Sequence, residues 1–133
     1  VEIKNKQGEV IDIREVKNLV VDDGLEYIAS RMKDATATAM SHMAIGTGSS
    51  AAAASDTALG TEAARVALTS TTVTANAVAY VASFGAGTGT GAITEAGILN
   101  AASSGTLLCR TVFSVVNKGA SDSMTITWTV TIS

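Results

Sequence analysis

From Ser123 to Ile132 the chain alternates without a break. Met124, Ile126, Trp128, Val130 and Ile132 fall on one side, and Ser123, Thr125, Thr127, Thr129 and Thr131 on the other. A period of two over this length is the pattern of a half-buried strand, and it excludes a helix, on which both faces would be mixed. Threonine on the wet face suits a pleated surface and hydrogen-bonds across to neighbouring strands. Burying each larger apolar side chain contributes about 1.5–3 kcal/mol before chain entropy is set against it.

The same period runs through most of the chain from His42 onwards. His42 to Gly46 reads as a short strand, followed by a loop from Thr47 to Thr61 rich in Ser, Ala and Gly. Arg65 to Thr72 and Ala77 to Phe84 are expected to form a hairpin about Ala75-Asn76, a weaker turn signal than Asn-Gly. Gly85 to Gly91 is a glycine-threonine loop. Ala92 to Leu99, Thr106 to Val116 and Ser123 to Ile132 follow, separated by Ser103-Ser104-Gly105 and by Lys118 to Asp122.

The N-terminal part is different. Val1 to Ile13 reads as a charged hairpin turning at Gln7-Gly8, in a segment 1–17 that either caps the domain or reaches out to a partner. A helix is expected over 22–34. Asp23 and Glu26 have capping-box spacing, Leu25, Ile28, Ala29 and Met32 form an apolar stripe, and Arg31 and Lys33 suit the negative end of the dipole. Ala35 to Met40 reads as a fraying end or loop. At 133 residues the chain fits one domain, with a β-sandwich core over 42–133. The expected fold is mainly β: an antiparallel sandwich of about eight strands with one short helix.

Charge is distributed unevenly. Most Asp, Glu, Lys and Arg lie in the first 34 residues, and beyond Arg65 only Glu95, Arg110, Lys118 and Asp122 follow. Soluble domains place charge on their outer face to stay dispersed and to block sheet edges. A long Ala, Thr, Ser, Gly and Val stretch suits a surface covered by copies of itself or by a partner. The net charge of −3 and the lack of any basic stripe argue against gripping nucleic acid or anionic lipid. No apolar run approaches the roughly 20 residues of a membrane helix. No signal-peptide pattern is visible, so synthesis in a cytoplasm and use in a large assembly are expected.

Motifs for chemistry are sparse. Gly85 to Gly91 lacks the Walker lysine, the GxGxxG spacing and a following helix, so a flexible inter-strand loop is favoured over a phosphate site. Ile45-Gly46-Thr47-Gly48 fails for the same reason. His42, the one histidine, has no metal-ligand spacing around it and marks a strand start. Cys109 cannot form an intramolecular disulfide and reads as a small buried hydrophobe. Asp56, Glu62, Glu95 and Asp122 are too scattered for a carboxylate pair, and Asp56, Glu62 and Arg65 suggest a local network ordering the long loop. No catalytic residue, cofactor or metal is expected. Glu95 and Arg110 are lone charges on consecutive expected strands, which makes them candidates for an ion pair within or between subunits. Trp128 lies on the apolar face of its strand and is expected in the core, which counts against a carbohydrate-binding platform.

Several stretches carry a family resemblance. They are Met43 to Gly48, Asp56 to Glu62 with Arg65, Ser83 to Gly87, Ile93 to Ala101, Arg110 to Phe113 and Lys118 to Trp128. The Asn18-Leu19-Val20 lead into Gly24-Leu25 belongs with them. Through these the chain resembles structural proteins of tailed bacteriophages over roughly two-thirds of its length. Within that group it looks most like a capsid cement (decoration) protein of the jelly-roll type. The resemblance implies a homotrimer on the outer capsid surface of the virion, bound to the major capsid protein, with no enzymatic residues and no direct nucleic-acid or membrane contact. A tail-fibre or baseplate component is the nearest alternative. On this reading Glu2, Lys4, Lys6, Glu9 and Arg14 of the N-terminal hairpin are the candidates for gripping the partner.

Overall fold

The computed structural model describes residues 1–33 and 37–133. Its elements run β1 (Glu2–Lys4), β2 (Val10–Ile13), β3 (Leu19–Val20), α1 (Asp22–Lys33), β4 (His42–Gly46), β5 (Glu62–Ala67), β6 (Ser70–Thr74), β7 (Ala77–Phe84), β8 (Gly91–Leu99), β9 (Leu107–Lys118) and β10 (Ser123–Thr131). Two antiparallel sheets of five strands result, ordered β2-β1-β10-β7-β6 and β3-β9-β8-β4-β5. The described residues form a mainly β sandwich with one short helix.

The described residues hold ten strands where about eight are expected from the sequence. One addition is β3, too short to carry a period. The other arises because the stretch read as a single strand from Arg65 to Thr72 is two. β5 pairs with β4 in the second sheet, whereas β6 pairs with β7 in the first. The crossing is made at Leu68, whose amide donates to Ser41 O, and Thr69, whose amide donates to Val81 O. No glycine, proline or charged residue marks the crossing, so the sequence does not reveal the change of sheet. The hairpin itself is β6–β7, with Ala75 in the left-handed region at φ +54°.

Between the sheets Tyr80, Ala82, Phe84, Met124, Ile126, Trp128 and Val130 meet Met43, Ile45, Ile93, Ile98, Cys109 and Phe113. Burial raises the Cys109 thiol far above its ordinary value, consistent with an inert core residue. Ile132, expected on the same face, lies past the end of β10 and is 49% exposed.

The helix corrects its expected apolar stripe. Leu25, Ala29 and Met32 are exposed, and the inward face is Gly24, Tyr27 and Ile28. The cause is a close approach: a Cβ at Gly24 would stand 2.1 Å from Leu108 O of β9. Only glycine lets the helix lean on the strand there, and that contact sets its rotation. The helix begins at Asp22, so Asp22 and Asp23 share the first turn, where carboxylates favour the positive end of the dipole. The expected end at Asp34, and Ala35 and Thr36 of the expected loop, lie outside the described residues.

The two outer faces of the sandwich are finished differently. Segment 47–61 folds across the second sheet, where Val21, Ala44, Leu59, Leu99 and Leu107 form a second small core. On the first sheet the outward residues are Thr125, Thr127, Thr129 and Thr131 of β10, beside Ser83, Val81, Ala79 and Ala77 of β7. Ser70, Thr72 and Thr74 of β6 continue the row. No charged side chain stands on this part of the face.

Candidate functional site

Charge in the β core is concentrated inside. Of the charged residues beyond Arg65, Glu95, Arg110 and Lys118 are all buried. Glu95 on β8 and Arg110 on β9 lie diagonally across a strand pair in which Gly97 is opposite Arg110 and Glu95 opposite Val112. Their side chains meet on the outer face of the second sheet, beneath segment 47–61. Arg110 Nε and Nη2 both lie 3.0 Å from Glu95 Oε1.

The carboxylate also holds the loop. Glu95 Oε2 accepts from the amides of Gly48 and Thr61, each at 2.7 Å, and Oε1 accepts from the Gly60 amide at 2.8 Å. Both ends of the loop are thereby fastened to one buried anion. Gly48 is needed for access, because a Cβ there would stand 2.4 Å from Glu95 Oε2. Burial acts to raise the Glu95 pKa, but the three amides and Arg110 outweigh it and hold the carboxyl below its ordinary range. Arg110 reaches onward from Nη1 to Asp56 Oδ2 at 2.9 Å and from Nη2 to Ser50 O at 3.1 Å. Asp56 accepts from the Ala53 amide, the main reason its carboxyl is also held low.

Asp56 therefore belongs to the Glu95–Arg110 group and does not join Glu62 and Arg65. Those two pair with each other at 2.6 Å, and Arg65 Nη1 donates to the carbonyls of Ala101 and Ser104. In the buried cluster every carboxylate oxygen of Glu95 and every nitrogen of the Arg110 guanidinium is engaged. The arrangement fixes the loop to the sheet. Among the described residues no group of three or more His, Cys, Asp and Glu is placed to hold a metal ion.

Lys118 is the other buried charge among the described residues. Its Nζ donates to Gly85 O and Asp122 O, both at 2.8 Å, tying the β9–β10 turn to the glycine-rich loop. Burial lowers its pKa, opposed by nearby Asp122.

The N-terminal hairpin is the first sheet's other margin. β1 pairs with β10 over Ser123 to Thr125, and Ile3 is fully buried, so the hairpin is part of the sandwich. Glu2 lies 3.5 Å from Lys4, and Arg14 pairs with Asp12 at 2.7 Å while donating to Ser114 O. Lys4, Lys6 and Glu9 are exposed towards the turn. Charge alone does not single out Val10, Ile11 and Ile13, which are 50%, 51% and 70% exposed between these charges. Their near-consecutive apolar run in a charged segment is the signal in the sequence. Beside the hairpin, a groove of about 490 Å³ opens between residues 14–18 and β10. Ile126 and Trp128 from the inner face and Thr127 and Thr129 from the outer face all line it, so it follows the edge of β10. Trp128 is buried and its Nε1 has no hydrogen-bond partner.

Comparison with protein-family models, curated proteins and solved structures gives no match.

Proposed function

We propose that this chain is a structural subunit of a tailed-phage particle, a cement protein that binds the outside of the capsid shell across capsomer boundaries. The observation that carries this reading is where the charge sits. The β core buries Glu95, Arg110 and Lys118, the first sheet presents a neutral Thr, Ser and Ala face from β10 to β6, and exposed ionic and apolar groups occur side by side on the hairpin at its opposite margin. A neutral pleated face suits contact between copies, as in the homotrimer that the resemblance implies. A rim of Lys4, Lys6 and Glu9 around Val10, Ile11 and Ile13 suits a protein partner, with apolar contact inside a polar border. In such an assembly each modest contact is multiplied by copy number. The major capsid protein is the proposed partner.

The test is localisation on particles by cryo-EM, together with co-sedimentation of purified chain with phage shells. Density on the outer shell and saturable shell binding are expected. Density confined to a tail fibre or baseplate, or no binding to shells, overturns the cement reading. Replacing Ile11 and Ile13 by Ser is expected to weaken shell binding at least tenfold without unfolding the domain, since neither is in the core. Deletion of the whole hairpin is unsuitable because it would remove Ile3 from the core.

A further inference from the structure

Each sheet has two outermost strands, and three of these four are guarded. Inward of the short β1 and β3, β10 beyond Thr125 and β9 beyond Arg110 also lack a strand partner on one side, beside residues 14–18. β2 is flanked by Glu9 and Arg14 and contains Asp12; β3 is two residues long; β5 carries Glu62 and Arg65. These are the usual means of preventing strand-to-strand association: charge and brevity. β6 has neither. It runs Ser70-Thr71-Thr72-Val73-Thr74, every residue is exposed, and no charged residue occurs between Arg65 and Glu95. The chain has no proline with which to block it. On one side β6 is paired with β7; no strand among the described residues pairs with the other.

We propose that β6 is a self-association edge, pairing antiparallel with β6 of a second copy of this chain. The free side of an edge strand presents backbone donors and acceptors in a row, and another strand satisfies that row in full. The composition of β6 selects its own copy. In the register centred on its middle residue, Thr72 lies opposite Thr72 of the second copy, Ser70 opposite Thr74, and Thr71 opposite Val73. The outward positions then join hydroxyl to hydroxyl, a favourable cross-strand combination. The inward positions cover Val73, which is 69% exposed in the single chain. No charge is desolvated and none is opposed. The product is one continuous sheet of both first sheets, and its outer face extends the neutral Thr and Ala row. The contact is twofold, so it joins copies, or trimers of the proposed cement protein, two at a time.

The inference goes beyond the cement reading and does not require it. Sedimentation equilibrium of the full chain is expected to give an even multiple of the 13.4 kDa chain mass. Because Thr72 faces itself, Thr72→Lys and Thr72→Glu each set like charges opposite one another, and each is expected to halve the assembly. An equimolar mixture of the two variants is expected to restore it. A wild-type mass that is an odd multiple, variants that keep the wild-type mass, or a mixture that stays dissociated would each overturn the pairing. Thr72 is exposed, so circular dichroism of both variants should match wild type. A second variant guards against a folding defect: oxidised Thr72→Cys is expected to run as a covalent dimer, with Cys109 too buried to contribute. Absence of that cross-link also overturns the pairing. Shell binding measured on the same samples keeps failure of this contact distinct from failure of the cement reading.

Discussion

Glu95 and Arg110 lie on adjacent strands, 3.0 Å apart, and the same carboxylate receives the backbone amides of Gly48, Gly60 and Thr61. The pair thus does more than set strand register: it anchors a loop that has few apolar side chains to anchor itself. Removing one member of a buried pair leaves the other without its counter-charge, at a cost of about 3–5 kcal/mol. Glu95→Ala is expected to reach that range, because three amides lose their acceptor as well. Asp56→Asn removes a partly exposed partner and is expected to cost under about 1 kcal/mol. Urea denaturation of the three proteins checks the order; equal midpoints for Glu95→Ala and wild type would refute the anchoring role.

Acid should weaken the fold through the same residue. The Glu95 carboxyl is held below its ordinary value in the folded chain, so at low pH the unfolded chain binds more protons. Its contribution is complete above the ordinary carboxylate range and is lost as pH falls from there through the folded-state pKa. Asp56 acts in the same direction. Melting temperature followed downwards from neutral pH is expected to drop across this window in wild type. Glu95→Gln, starting lower, is expected to give a flatter acid limb.

The helix contact offers a test against propensity. Alanine in place of a helical glycine normally gains about 1 kcal/mol. At Gly24 the new Cβ meets the backbone of Leu108 in the middle of a sheet, an overpacking that costs about 1–3 kcal/mol. Gly24→Ala is therefore expected to lower the melting temperature, and a rise would show that the helix moves off β9 without loss.

The β6–β7 turn points the other way. Ala75 occupies the left-handed region at φ +54°, which costs an L-residue about 1–2 kcal/mol. Glycine removes that strain but brings its own chain entropy, about 0.5–1 kcal/mol. Ala75→Gly is expected to be stabilising by up to about 1 kcal/mol, read as a rise of a few degrees in thermal melting. No gain, or a loss, would mean that the turn tolerates alanine without strain.

Much of the sandwich is legible in the sequence because its strands keep a strict period of two, as Met124 to Val130 do. What periodicity cannot report is which sheet a strand joins. The chain passes from β5 to β6 at Leu68-Thr69 with no glycine, proline or charge to mark a break, so two strands read as one. The helix misled for a different reason: Leu25, Ala29 and Met32 make a credible stripe, yet a glycine contact outweighs them. Glu95 and Arg110 stand out in the sequence itself as isolated charges in neutral strands. The amides gathered around Glu95 are invisible in sequence, because backbone groups carry no letter. Gly48 and Gly60 are the nearest thing to a trace of them.

The bare outer row from β10 to β6 has a consequence for how association responds to its surroundings. Mobile ions attenuate forces between exposed charges over about 10 Å at 0.1 M salt, but a hydroxyl-and-methyl surface gives them nothing to screen. Contacts made through Thr72, Thr129 and their neighbours should accordingly persist in brine, whereas grip through the Lys4, Lys6 and Glu9 margin should soften as electrolyte is added.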